Sequence, residues 1–300
     1  MRPVILRQAQ DEGLLISSPI HSPPTPACAG IDGVWAIVPR EGMTATLLAE
    51  LKHACQTFAD QPGQIAVIVQ SKPDPALSVS INADLRLPAA SVVKPAIACA
   101  AADAAHLDLR QPIAISDLEE TFYCSIIQAF DPGDKITLKA VIGLMLIVSD
   151  NPATTATLDA VGMDTVNQWL ETNRLSDTSI SVGFDDASLG APLRANLTTA
   201  QDCLRLLQLI DKTPDYAFIK HMLANNLRNE RIPKLLPDDA IIAHKTGTLN
   251  GLCHDIALIE GPAAAFYLVV LADGLPDGHD FANDIARFSK QIYDVMSLHS

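Results

Sequence analysis

The stretch "HKTGTLNGLCHDIALIE", residues 244–260, decides how this chain is read. Lys245, Thr246 and Gly247 close one apolar run, "DAIIAHKTG", just ahead of a second, "LCHDIALIE". Both runs are short, aliphatic and bounded by turn residues, the pattern of strands. A third, "AFYLVVLAD", follows them, and near the other end of the chain "GQIAVIVQ" and "ALSVSIN" read as two more, joined by "SKPDPA". Between the two sets lies a helix-rich middle, from about residue 91 to 235. The expectation is an α/β protein of the α+β type, with one antiparallel sheet assembled from both chain ends. Two helices, "TATLLAELKHACQTFAD" and a last one from about Phe281 to Met296, would cover one face. A helical subdomain would be inserted on the other side, and the groove between it and the sheet edge is the expected ligand pocket.

Bulk properties narrow the function classes. A chain of 300 residues that is 48% hydrophobic and 19% charged can build a sizeable core. The net charge of −14 argues against nucleic acid or an anionic membrane as partner, because phosphate binding needs a basic face. Six cysteines, with no C-x-x-C pair, read as reduced and buried thiols, and no metal or cofactor is implied. The beginning, "MRPVILRQAQDEGLLISSP", lacks an apolar run of signal-peptide length, so a cytoplasmic location is expected. "LKAVIGLMLIV" suits a buried core helix better than a membrane span. Residues 1–42, with "SSPIHSPPTPACAG", are rich in Pro and Ser and aperiodic, and read as a disordered extension ahead of a folded domain over 43–300.

A Lys-Thr-Gly tripeptide alone is compatible with a surface strand and its turn. Two further motifs give it partners. "SVVK" places Ser91 and Lys94 three apart at the start of an apolar helix, so that both side chains share one face. Pro95, tolerated only in a first helical turn, supports Ser91 as the opening residue, where the helix N-terminal field favours an anion beside the hydroxyl. "SDN", Ser149 to Asn151, follows the core helix and precedes another with Pro in its first turn. Each motif by itself could be a helix cap or a turn. Together, in this chain order and each at an element boundary, S-x-x-K, S-D-N and K-T-G form the signature of class A β-lactamases and penicillin-binding proteins.

The sequence resembles that family over nearly all of residues 43–300, including the start "ANLTTAQDCLRLL" and the strand "HDIA", with His254 where Asn is usual. Glutaminases also use S-x-x-K on a related fold, but lack the fit of the K-T-G and "HDIA" strands. The resemblance implies a β-lactamase/transpeptidase-like fold and a serine hydrolase forming an acyl-enzyme with a small amide or ester that bears a carboxylate. Ser91 would be the nucleophile and Lys94 its base. Ser149 and Lys245 would relay a proton to the leaving nitrogen, and the backbone N–H groups of Ser91 and Thr248 would bind the oxyanion. Asn151 would orient the substrate amide, Lys245 and Thr246 would hold its carboxylate, and Gly247 would leave room for substrate along the strand. Arg231 resembles a carboxylate-binding Arg of some members, with a solvated surface Arg as the other reading. A monomer is expected.

The departure lies in deacylation. The family's loop carries a Glu-x-x-Leu-Asn box, whose Glu activates water. The corresponding "SVGFDDASLGAPLRANLTT" has no Glu, and its nearest match is Asp186 with Gly190 in the Asn place. Either Asp185 or Asp186 acts as base or the loop is only an exposed acidic one. Two alternatives stay open: a penicillin-binding, D-alanyl peptidase-like protein or sensor that stays acylated, and a non-catalytic binder on the same fold.

Overall fold

The structure, a computed structural model, describes residues 40–118, 125–185 and 192–298, with side chains from Ala45 onward. Most of the expected extension, residues 1–42, lies outside the described residues. Helix α1 runs Arg40–Ala59. The strands β1 (Gln64–Ser71) and β2 (Ser78–Ile81) follow as a hairpin. The middle carries the short strands β3 (Leu87–Pro88), β4 (Pro112–Ala114), β5 (Lys135–Thr137) and β6 (Leu197–Thr198). It also carries helices α2 (Lys94–Asp103), α3 (Leu138–Ile147), α4 (Asn151–Val161), α5 (Met163–Thr172), α6 (Ala200–Lys212) and α7 (Ala217–Ala224). Strands β7 (Ile241–Leu249), β8 (Leu252–Glu260) and β9 (Ala265–Asp273) and helix α8 (Phe281–Ser297) complete the chain.

The five long strands form one antiparallel sheet in the order β2-β1-β9-β8-β7, joining both ends of the sequence as expected. Alternation along the strands explains the layers. Ile65, Val67 and Val69 of β1 and Phe266, Leu268 and Val270 of β9 face α1 and α8, where Phe58 stacks on Phe288 with ring centroids 4.2 Å apart. Ala66 and Ile68 of β1 and Val269 and Leu271 of β9 face the opposite way, into the core shared with the helical insert. Helix α3, "LKAVIGLMLI", lies inside that second core, with Leu138, Val141, Ile142, Met145 and Leu146 buried. Its apolar run serves the core, and no described helix is long and apolar enough to cross a membrane.

Insert and sheet are also joined by charge. Lys72, just after β1, and Lys220 of α7 both bridge Asp211 of α6 and Glu260 at the end of β8. Tyr267 of β9 donates its hydroxyl to the other Asp211 oxygen at 2.8 Å. Among the described residues Cys55, Cys99, Cys203 and Cys253 are buried free thiols, and burial pushes those of Cys55 and Cys203 up to about 12.

Candidate active site

The edge strand β7 packs against the turn before α2, and its Lys245 reaches Ser149 at the junction of α3 with α4. Ser91 does not open an α-helix as expected. It lies in a 3-10 turn, Ala90–Val93, that passes into α2 at Lys94. The cause is Pro95, which has no N–H to donate four residues back to the Ser91 carbonyl. The Lys94 N–H makes that bond instead, three residues back. Ala90 is held at a φ of 46°, a left-handed conformation costly for a residue with a Cβ, and Ser149 at 63°. Strained backbone at two chemistry-bearing turns needs rigid surroundings to persist.

Packing supplies them. A Cβ on Gly247 would sit 3.2 Å from the Val92 side chain, 3.3 Å from Ala90 Cβ and 3.4 Å from the Ala89 carbonyl. Gly247 therefore lets β7 approach the Ser91 turn. This close contact is a second reason for a glycine here, beside the expected room for substrate along the strand.

Lys94 and Lys245 are both fully buried. Lys94 Nζ donates to the Ser149 carbonyl at 2.8 Å, to Asn151 Oδ1 at 2.9 Å and to Ser149 Oγ at 3.3 Å. Lys245 Nζ donates to the same Ser149 Oγ at 2.9 Å and to the Thr246 carbonyl at 3.0 Å. Two lysine amines therefore converge on one hydroxyl. Burial first, and the Lys245 charge second, hold the Lys94 amine well below its usual value. Burial brings Lys245 down to about 7, opposed by the Asp255 carboxylate. No hydrogen bond joins Lys94 to Ser91 Oγ among the described residues; the amine is turned toward Ser149 and Asn151. Asp150, buried at the cap of α4, fixes this junction by accepting from Ala153 N, Ile126 N and Ser125 Oγ.

Arg231 is 4% exposed, so the solvated reading is excluded. Its guanidinium donates to the Gly247 carbonyl at 2.8 Å, to the His254 carbonyl and to Thr248 Oγ1. These bonds pin the peptide between Gly247 and Thr248. The Gly247 carbonyl points between β7 and β8, so the N–H of Thr248, on the opposite side of the same trans peptide, points to the open edge of β7. That is the direction an oxyanion donor needs. Thr246 is 5% exposed, while Thr248 is exposed.

Sequence reasoning missed Phe184. Its ring is 1% exposed and lies against Lys94, with Nζ 5.1 Å from the ring centroid. A lone large apolar residue in the otherwise polar "SVGFDDAS" was the available signal. Asp185 follows it and is partly buried. Asp186, the nearest sequence match to the family's Glu, lies outside the described residues.

Comparison with known proteins agrees with this arrangement. The model of the β-lactamase enzyme family matches residues 48–296. The chain is 29% identical over 239 residues to the β-lactamase VEB-1 of Pseudomonas aeruginosa, covering 74% of this chain and 78% of that one. Among solved structures, a β-lactamase from Sphaerobacter thermophilus superposes with a TM-score of 0.73 at 23% identity, over 83% of this chain and 98% of that one. PBP-A does so with a TM-score of 0.71 at 22% identity, over 82% and 95%. A mutant of PBP-A has been solved as an acyl-enzyme complex with penicillin G. With the sheet, the inserted helices and the three motifs brought together, and a family match over residues 48–296, this chain belongs to the β-lactamase enzyme family.

Proposed function

We propose that the protein is a serine hydrolase that forms an acyl-enzyme on Ser91 with a β-lactam or a related small amide or ester bearing a carboxylate, and that it releases the acyl group slowly. The observation that carries the first half is the convergence of two buried lysines on Ser149 Oγ beside the Ser91 turn. A serine needs a base to become a nucleophile at neutral pH. Lys94, with its lowered affinity for a proton, is suited to that task, and its reach to Ser149 provides an exit for the proton toward the leaving nitrogen. Asn151 shares Lys94 and faces the same groove. Ser91 N–H and Thr248 N–H supply the oxyanion donors, each worth on the order of 3 kcal/mol in such sites. Lys245 and Thr246 receive the substrate carboxylate. Arg231 supports the Thr248 peptide, because its two terminal nitrogens hold the Gly247 and His254 carbonyls and Thr248 Oγ1.

Phe184 supports the second half. Hydrolysis of an acyl-enzyme needs a water held beside a base, and an aromatic ring against Lys94 offers no basic side-chain atom for that task. The same ring favours a second reading, a penicillin-binding D-alanyl peptidase-like protein or sensor that remains acylated. The test is a stopped-flow reaction with a chromogenic cephalosporin, with the protein mass followed in parallel. The expected result is a burst of about one equivalent, a mass gain on Ser91, and then turnover on the order of one per minute or slower. Rapid turnover without a burst would refute slow release, and absence of any adduct would refute acylation.

A further inference from the structure

We propose that His254 is a positioning residue of the acylation site, a neutral imidazole strut that sets the gap between the strand carrying Thr248 and the turn carrying Ser91. The inference rests on the proposed roles of Ser91 and Thr248. His254 is fully buried on β8, directly opposite Gly247 in the register of β7 and β8. Its Nδ1 accepts from the backbone N–H of Ala272 on β9 at 2.9 Å. Its Nε2 lies 2.8 Å from the Pro88 carbonyl. A backbone N–H can only donate and a carbonyl can only accept, so both bonds exist in one form alone, the neutral ring protonated at Nε2. Burial keeps the ring in that form by lowering its pKa to about 4.

What the two bonds join gives the strut its meaning. Pro88 ends β3, three residues before Ser91, and having no N–H it is anchored through its carbonyl alone. Beyond it, Ala89 N–H donates to the Asn196 carbonyl at 2.7 Å, and the strained Ala90 leads directly to Ser91. At its other end His254 offers its own carbonyl to the Arg231 guanidinium, which also holds the Gly247 carbonyl. One residue thus touches the support of each oxyanion donor: its ring holds the segment leading to the Ser91 N–H, and its carbonyl holds the cation that orients the Thr248 N–H. Fixed spacing of such donors is what makes them catalytic, because they must fit the oxyanion rather than the ground-state carbonyl.

Two substitutions separate the bonds. In His254→Gln the side-chain amide nitrogen takes the place of Nε2 and can still donate to Pro88. In His254→Asn the amide oxygen takes the place of Nδ1 and can still accept from Ala272, but falls short of Pro88. The experiment measures labelling by a fluorescent penicillin and by a fluorophosphonate over a concentration series, together with amide hydrogen exchange of peptides covering residues 87–93. His254→Asn is expected to lower the maximal acylation rate by about 100-fold, the cost typical of misplacing a reacting group by about 1 Å, with the half-saturating concentration little changed. Exchange over 87–93 should rise in the same variant, and His254→Gln should stay near the wild type in both readings. Equal losses in the two variants, or a His254→Asn variant that acylates and exchanges like the wild type, would overturn the strut. If the wild type takes neither label, the nucleophile assignment fails, and the exchange reading still decides the strut: no rise in His254→Asn overturns it.

Discussion

Along β7 and the Ser91 turn, one wall of the candidate site is made of buried polar groups that hold one another: Lys245 on Ser149, Lys94 on Ser149 and Asn151, Arg231 on the Gly247 and His254 carbonyls. The loop before α6 brings something different to the same Lys94, a ring with no hydrogen-bonding atom. The first wall stores strain at Ala90 and Ser149 and supports it with close packing and charge-assisted bonds. The second supplies an apolar surface. On the reading proposed above, forming and cleaving an acyl ester would be separately built, one on a hydrogen-bonded polar wall and the other beside an apolar ring.

The sharpest way to break the comparison is to remove the nucleophile. Ser91→Ala should abolish labelling by a fluorescent penicillin, a loss of about 10,000-fold or more, with an unchanged melting temperature. Persistent labelling would move the first wall's chemistry elsewhere. The second wall is probed by Phe184→Glu, which places a carboxylate beside Lys94. Release of the acyl group, followed by mass, should accelerate by about 100-fold, the lower range for a positioned general base. No acceleration would mean that the ring is not what withholds hydrolysis.

A smaller effect is expected from Gly247→Ala, whose methyl would press on Val92, Ala90 and the Ala89 carbonyl. The acylation rate should fall by about 10- to 100-fold, with release of a preformed acyl-enzyme affected much less. Equal effects on both steps would erase the distinction between the walls. The mildest test uses pH. Lys245, at about 7 in the free protein, loses its charge above neutrality, so kcat/KM for a carboxylate-bearing substrate should fall by about 10-fold per unit above pH 7. Stability moves the other way. Between about 7 and the ordinary 10.5 the unfolded chain binds the proton that the folded one does not, so this group's contribution rises with pH and is lost as pH falls to 7. Denaturant unfolding of the wild type against Lys245→Met across that window reads it.

Local chemistry made most of this legible in the sequence. Two of the three motifs sit where helix starts and turns must fall, and the apolar runs at both chain ends gave the sheet, although the strand that carries Lys245 runs on past Gly247 to Leu249. Other features needed the third dimension. Phe184 is 90 positions from Lys94 in the chain, and no period links a loop aromatic to a helix lysine. Arg231 read as either a substrate ligand or a surface charge because spacing says nothing about which carbonyls a buried guanidinium will find. The packing reason for Gly247 was hidden in the same way: an absent side chain leaves no sign of which neighbour required its absence.

The ion cluster of Lys72, Asp211, Lys220 and Glu260 lies where β8 ends and β9 begins, several residues along the sheet from the Lys245–Gly247 segment. Two of its members belong to the sheet side and two to helices of the insert. Sheet and insert are in this sense fastened at a point away from the candidate site. Because the cluster is only partly buried, dissolved salt can screen it, and ionic strength becomes a means of loosening the fastening without touching any residue of that site.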